Sequence, residues 1–149
     1  MTVRKKNTIL CIFIIAAFII VIISVFVTAE AKSVSAATDA DRTGFINTLG
    51  LTCREEPLSV RNVIIPAEFG EVYGAYNELQ LSAGFDLSPY KGEDAIVYTY
   101  AVTDYPSPDG GFYADIRANL IVIGEKIVGG DISSAALDGF MTGLCPPKS

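Results

Sequence analysis

The sequence predicts an α+β domain, in which a helix packs on one face of an antiparallel sheet ending in a three-strand meander, preceded by a transmembrane helix. Three observations predict it: a long uncharged apolar run near the N-terminus, apolar residues at three- and four-residue steps in the middle of the chain, and alternating apolar residues in its last third. The predicted order of helix, strand, helix and three strands is typical of helices packed against an antiparallel sheet.

The uncharged run, ILCIFIIAAFIIVIISVFV, covers residues 9–27 and has Ser24 as its only polar side chain. About 20 apolar residues are needed to cross ~30 Å of hydrocarbon, so we predict a transmembrane signal-anchor here. A cleaved secretory signal is the alternative, because Ala29-x-Ala31 and Val34-x-Ala36 are small-residue cleavage patterns.

Charge gives the orientation of this predicted anchor. The basic residues Arg4, Lys5 and Lys6 lie in residues 1–8, which the positive-inside rule places in the cytoplasm. We therefore expect residues 28–40 to be a tether and residues 41–149 to be an extracytoplasmic domain at the cell membrane, secreted if the signal is cleaved. Every Asp and Glu follows the anchor, and the net charge of −6 argues against nucleic acid as a partner.

The segment KIVGGDIS, residues 126–133, resembles the activation site of trypsin-like serine proteases. The chain has no histidine, so it cannot supply the general base of a Ser-His-Asp triad. The same absence excludes Cys-His nucleophiles and His-ligated zinc, and we expect no cofactor and no metal site. Carboxylate chemistry is what remains for an enzyme.

The first half of the exported part predicts a helix, a strand and a longer helix. Asp39 or Asp41 can cap the first helix, and Gly50 can end it. The β-branched residues 60–66 predict a strand, and Pro66 suits the first turn of a helix over residues 67–84. The first helix has apolar residues on one face at Phe45, Ile46 and Leu49, and the second has a longer stripe at Phe69, Val72, Tyr73, Tyr76, Leu79 and Ala83.

The last third predicts the three-strand meander. Residues 95–105 and 112–123 alternate in polarity, as strands with one buried face do. Gly124-Glu125 has glycine first, as a two-residue type II′ hairpin turn requires, and leads into a third strand.

Two glycines in that third strand precede an aspartate. Regular pairing across the hairpin would place Asp131 on the apolar face, where an isolated carboxylate is costly. We therefore predict a bulge at Gly129-Gly130 that turns Asp131 to the other face, beside Arg117 and Asn119. The alternative is that Asp131 stays on the core face as an acid of raised pKa.

Several polar and aromatic residues are candidates for a binding surface. Asn77 and Gln80 flank the apolar stripe of the second helix beside Tyr73 and Tyr76, and either bind a partner or satisfy the backbone of a nearby loop. Tyr98 and Tyr100, on one strand face, are either an aromatic platform for a sugar or peptide or core residues with their hydroxyls at the rim. Loop and strand residues complete the set: Asp86, Tyr90, Arg117 and Asp131.

Cys53 and Cys145 are the two cysteines that follow the predicted anchor. Export places them where disulfides persist, and a bridge between them closes a loop of about ninety residues, worth roughly 4–5 kcal/mol in the chain-entropy model. Two buried free thiols are the alternative.

Separated motifs in a fixed order resemble the domain-of-unknown-function family 4830: VIIPAEF, VYGAYNELQ, GFDL with YKG, YTY, RANLIVI, IVGGDI and a later GF. The resemblance covers roughly residues 45–144. It implies a short, exported or membrane-anchored bacterial envelope protein and assigns no activity.

Together these features predict a non-enzymatic, membrane-tethered domain that binds an envelope protein or a small ligand. Its contact surface is expected on the open face of the sheet or on the tyrosine-rich edge of the helix. The alternative is an envelope hydrolase, which requires two carboxylates, drawn from Asp86, Asp104 and Asp131, facing each other in one cleft.

Overall fold

The computed structural model describes residues 34–147 of the chain. These residues fold around a six-stranded antiparallel sheet. The strands run in the order β1-β5-β4-β3-β2, and β6 pairs with β5 further along the same edge as β1. Their bounds are β1 Val34–Ser35, β2 Ser59–Ile64, β3 Asp94–Val102, β4 Ile116–Ile123, β5 Lys126–Ser134 and β6 Met141–Gly143.

The predicted signal-anchor at residues 9–27 lies outside the described residues. Within residues 34–147 neither helix combines the length and the apolar character that a membrane span requires.

The first helix, α1, spans Asp39–Thr48. Its cap is Thr38 rather than either aspartate: the Thr38 hydroxyl accepts from the Asp41 N–H at 3.1 Å, and the Asp41 carboxylate accepts from the Thr38 N–H at 3.0 Å. This capping box satisfies two backbone donors at once, so Asp41 contributes as its third helical residue. Gly50 follows the helix with a φ of 77°, as predicted for its end.

The second helix, α2, spans Glu71–Ser82 and begins four residues later than Pro66 predicts, because Gly70 is extended and forms the cap position. Its predicted apolar stripe is only partly buried, and Val72 is 85% exposed. The buried residues of this helix are Asn77 and Gln80. The prediction from apolar spacing was incomplete here, because the buried side of the helix also faces the backbone N–H groups of Leu87 and Gly130, which Asn77 and Gln80 satisfy.

Helices cover both faces of the sheet, whereas the sequence predicted one. On one face α1 packs against the even-numbered residues of β3 and β4, forming a core with Phe45, Ile46, Leu49, Tyr100, Ala118, Leu120 and Ile132. On the other face α2 packs against a second cluster built from Ile65, Leu87, Ala95, Val97, Ile121 and Val128.

The predicted meander is present as β3, β4 and β5, and the chain then returns through β6. Gly124 has a φ of 58° in the two-residue turn between β4 and β5, as predicted. Strand β4 begins at Ile116 and not at 112, because Asp115 has a φ of 55° and interrupts the extended backbone. Phe112, predicted on the core face, is 66% exposed.

The bulge in β5 exists one residue earlier than predicted. Val122 pairs with Ile127 and Ile121 pairs with Gly129, so the extra residue is Val128. The insertion turns the rest of the strand over, and Asp131 lies opposite Asn119 on the α2 face, as predicted. Gly129 and Gly130 follow the bulge instead of forming it.

We expect Gly130→Ala to lower the free energy of unfolding by about 3 kcal/mol or more, since backbone strain and overpacking add. Gly130 has a φ of 149°, and a Cβ there would lie 2.0 Å from the Asn119 carbonyl oxygen. Gly74→Ala in α2 is the matched control: apart from the neighbouring residues and the backbone of the helix itself, no atom lies within 4 Å of its Cβ position, so we expect about 0.5–1 kcal/mol of stabilisation from the better helix former. Urea unfolding measures the free energy of unfolding of both variants. A Gly130→Ala variant as stable as the unaltered protein would contradict the close contact between Gly130 and the Asn119 carbonyl.

Candidate functional site

A row of polar side chains crosses three strands beneath α2. Thr99 donates to Asn119 Oδ1 at 2.8 Å, and Asn119 Nδ2 donates to Asp131 Oδ1 at 2.8 Å. The Tyr76 hydroxyl completes the row from the helix, donating to Asp131 Oδ2 at 2.9 Å. Asp131 is only 5% exposed, and each carboxylate oxygen has a donor, which offsets part of the cost of burying it.

In this row Tyr76 is a hydrogen-bond donor. Burial raises the pKa of its phenol, and the neighbouring Asp131 carboxylate raises it further. The hydroxyl therefore stays protonated at neutral pH and holds the ring of Tyr76 in one orientation.

Gln80 is fully buried and contacts the backbone of β5. Its Oε1 accepts from the Gly130 N–H at 2.7 Å. The Nε2 group lies near the Tyr76 phenol without hydrogen-bond geometry, and it has no hydrogen-bond partner within residues 34–147. Of the two alternatives given by the sequence, the internal one describes Gln80.

Asn77 satisfies the loop that follows α2. Its Oδ1 accepts from the Leu87 N–H at 2.8 Å, and its Nδ2 donates to Asp86 Oδ1 at 3.0 Å and to Ser88 Oγ at 3.2 Å. The Ser88 backbone N–H, with the amide of Asn77, lowers the pKa of the Asp86 carboxyl. Asn77 and Asp86 therefore hold the loop that follows α2.

An apolar groove of about 570 Å³ lies along the exposed side of α2. The ring of Tyr76 lines it, together with Val72, Tyr73, Ala75, Leu79 and Met141. Tyr73 packs between two other rings, 4.8 Å from the Phe69 centroid and 5.7 Å from the Tyr76 centroid. Predicted residues Tyr73 and Tyr76 thus share one apolar surface.

A second cavity, of about 700 Å³, lies between the loop after β3 and the segment around β6. Three rings pack together in its wall, with Tyr105 and Phe140 5.2 Å apart, Tyr113 and Phe140 5.4 Å apart, and Tyr105 and Tyr113 6.2 Å apart. Its other lining residues are Pro106, Ser107, Pro108, Gly110, Met141, Thr142, Cys145 and Pro146. Met141, which is 54% exposed, lines both cavities.

The sequence did not single out the residues of this second cavity. Tyr105 and Tyr113 lie on either side of the loop after β3, and Phe140 precedes the short strand β6. They meet because Pro106 and Phe112 form an isolated β-bridge that closes the loop. The density of aromatic residues in 105–113 was the available signal.

Tyr98 lies on the opposite face of the sheet. The guanidinium of Arg42 stacks over its ring at 3.8 Å from the centroid, while Arg42 Nε donates to the Tyr100 hydroxyl at 2.8 Å. Arg42 also binds Asp39 at 2.6 Å, and this contact is the main cause of the lowered pKa of the Asp39 carboxyl. Tyr98 therefore belongs to the anchoring of α1.

Two further candidates lie apart from the groove. Tyr90 packs against the apolar cluster on the α2 face, in the 3-10 turn Ser88–Tyr90. Arg117 is exposed and pairs in register with Ser133. The register places Arg117 on the same face as Asp131, in the next pair along that face, but the hydrogen bonds to Asp131 come from Tyr76 and Asn119, and within residues 34–147 no ion pair joins Asp131 to Arg117.

The three carboxylates from which a hydrolase would draw its pair have separate partners. Asp131 binds Tyr76 and Asn119, Asp86 binds Asn77 and Ser88, and Asp104 accepts from the Thr52 N–H at 2.7 Å. Neither the groove nor the second cavity is lined by an acidic residue.

The disulfide predicted between Cys53 and Cys145 is not formed in the structure, where both are free thiols. Each has its own surroundings. Cys53 forms a β-bridge with Val102. Burial, and to a smaller extent the charge of the nearby Asp104, raises the pKa of its thiol to about 11. Cys145 lies 3.6 Å from the Thr142 hydroxyl and lines the second cavity.

We expect Tyr76→Phe to lower the free energy of unfolding by about 1.5–3 kcal/mol, because it leaves one oxygen of a buried carboxylate without a donor. Tyr73→Phe is the matched control. The Tyr73 hydroxyl makes no hydrogen bond in the described part of the chain, so its loss should change stability by less than about 0.5 kcal/mol. Urea unfolding of the two variants side by side measures the difference. Equal effects would show that Asp131 does not depend on Tyr76.

Comparison with known proteins places the chain in a family. No curated protein and no solved structure matches it significantly. The family model described as domain of unknown function DUF4830 matches residues 45–132, which is more than half of the chain and includes α2, the polar row and most of the sheet. The chain therefore belongs to the DUF4830 family of domains of unknown function.

Proposed function

We propose that the protein is a membrane-tethered, extracytoplasmic binding domain of the cell envelope, which holds an apolar segment of another envelope protein along α2. The observation that carries the proposal is that Met141 lines both the groove and the second cavity. The two sets of aromatic rings therefore meet at Met141 and form a largely apolar surface, large enough for a peptide segment rather than a single side chain.

The composition of this surface suits protein recognition. Aromatic residues and methionine are enriched at the centres of interfaces, and charged residues are depleted there. Val72 and Met141 expose 85% and 54% of their surface, so a partner would remove substantial apolar area from water.

The polar row supports the same function, because it fixes one wall of the groove. The Tyr76 ring cannot rotate away without breaking the bond from its hydroxyl to Asp131. A surface already in its binding conformation loses less conformational entropy when a partner binds.

The tethered location is supported by the sequence. The uncharged residues 9–27 are long enough to span a bilayer, and Arg4, Lys5 and Lys6 precede them. Membership of the family gives no activity, and the separate partners of Asp86, Asp104 and Asp131 favour binding over hydrolysis.

A photo-crosslinking experiment in the producing cells tests the binding surface. We expect benzoylphenylalanine at Val72 to give a discrete adduct with a protein, and Met141→Asp to reduce that adduct at least tenfold by placing a charge in the apolar surface. Leu81→Asp is the matched control, since Leu81 is exposed on the same helix but does not line the groove. An adduct that survives Met141→Asp contradicts binding across Met141, and the absence of any adduct contradicts a protein partner.

Membrane extraction tests the tether. We expect alkaline carbonate to leave the protein in the membrane fraction, with an intact mass that includes residues 9–27, because an uncleaved apolar span of that length resists extraction. A mature chain starting near Lys32 or Ala37 contradicts the anchor and supports the cleaved signal.

A further inference from the structure

Strand β2 forms one edge of the sheet. Its six residues, Ser59–Ile64, pair with β3, and no described strand pairs with its other side. An edge of this kind presents a row of backbone donors and acceptors that match another strand.

The register shows which backbone groups face outward. The Ile65 N–H donates to the Glu93 carbonyl at 3.0 Å, in the same register as the β2–β3 ladder. Because antiparallel strands alternate the direction of their backbone groups, Arg61 and Val63 also direct theirs to β3. Val60, Asn62 and Ile64 therefore direct their N–H and C=O groups away from the sheet.

The side chains of these same three residues lie on one face. Val60 and Ile64 are 54% and 67% exposed. Natural edge strands are commonly protected by proline, lysine or a bulge. The segment Ser59–Ile64 has none of these and carries one charge, that of Arg61.

We propose that β2 pairs antiparallel with β2 of a second copy of the chain, about a twofold axis through Asn62. The axis places Val60 opposite Ile64 of the second copy and Asn62 opposite its own equivalent. The pairs that join residues 60, 62 and 64 then consist of residues whose backbone groups face outward, and apolar side chains meet apolar side chains on one face. The pattern apolar, amide, apolar at 60, 62 and 64 reads the same in both directions, which selects a second copy over an unrelated strand.

The competing symmetric register of equal length is disfavoured by charge. An axis through Arg61 would place its guanidinium directly opposite the same group of the second copy, in a pair whose Cα atoms approach to about 4.5 Å. Like charges in that position destabilise a sheet. With the axis at Asn62, Arg61 lies opposite Val63.

Cysteine crosslinking tests this register. In a full-length chain with Cys11, Cys53 and Cys145 replaced by alanine, we expect Asn62→Cys to form a disulfide-linked dimer on mild oxidation, since directly opposed Cα atoms about 5.5 Å apart suit a bridge. Val60→Cys alone and Ile64→Cys alone should form no disulfide-linked dimer, because in this register each residue lies four residues from its equivalent. A mixture of those two variants should crosslink.

A backbone substitution provides a second test that needs no cysteine. Asn62→Pro removes an outward N–H and spares the ladder to β3, whereas Asn62→Ala keeps that N–H. We expect sedimentation analysis in detergent to show a dimer for Asn62→Ala and a monomer for Asn62→Pro, with circular dichroism confirming that both are folded. A monomeric parent chain, or equal crosslinking by Val60→Cys alone and Asn62→Cys, would overturn the proposal.

Discussion

The contact between α2 and the glycines of β5 determines how the rest of the domain is arranged. The outer edge of β5 pairs with β1 up to Ile127 and with β6 from Asp131 onward, so the backbone between them has no strand partner in the described residues. A buried N–H without a partner is costly, and the Oε1 of Gln80 accepts from Gly130 in this gap. The helix must come close to do so: a Cβ at Gly129 would lie 2.9 Å from that oxygen. The same closeness recurs at β6, where a Cβ at Gly143 would lie 2.8 Å from the Leu79 carbonyl oxygen.

The candidate surface follows from this contact. With α2 held against β5, Tyr76 lies above Asp131, and the bulge at Val128 turns that carboxylate toward it. The hydrogen bond fixes the Tyr76 ring, which then lines the groove shared with Met141 of β6. The buried Asp131 carboxylate therefore fixes the shape of an apolar surface. It accepts the hydrogen bond that holds the Tyr76 ring, and that ring lines the groove.

Local patterns predicted the parts of the fold that depend on neighbouring residues. The end of α1 at Gly50, the turn at Gly124 and the switch of Asp131 to the Asn119 face all follow from backbone freedom and from the two-residue repeat of strands. The bulge lies one residue earlier than predicted, with Val128 as the extra residue. The glycines that follow it leave room for the side chain of Gln80 to approach the strand. Asn77 is buried because it binds the loop after α2, and Gln80 is buried because it binds the edge of β5. Neither contact can be read from the periodicity of the helix itself. The second cavity likewise depends on tertiary contacts, which bring Tyr105, Tyr113 and Phe140 together.

Amide hydrogen exchange at Gly130 tests most directly whether Gln80 closes the gap in the edge of β5. If it does, the Gly130 N–H exchanges only when the whole domain unfolds, and its exchange free energy equals that of the central amides of β4. Gln80→Met keeps the volume of the side chain and removes the acceptor, so it should accelerate exchange at Gly130 relative to those amides. Rapid exchange at Gly130 in the unaltered protein, at a rate that Gln80→Met does not change, would contradict the account.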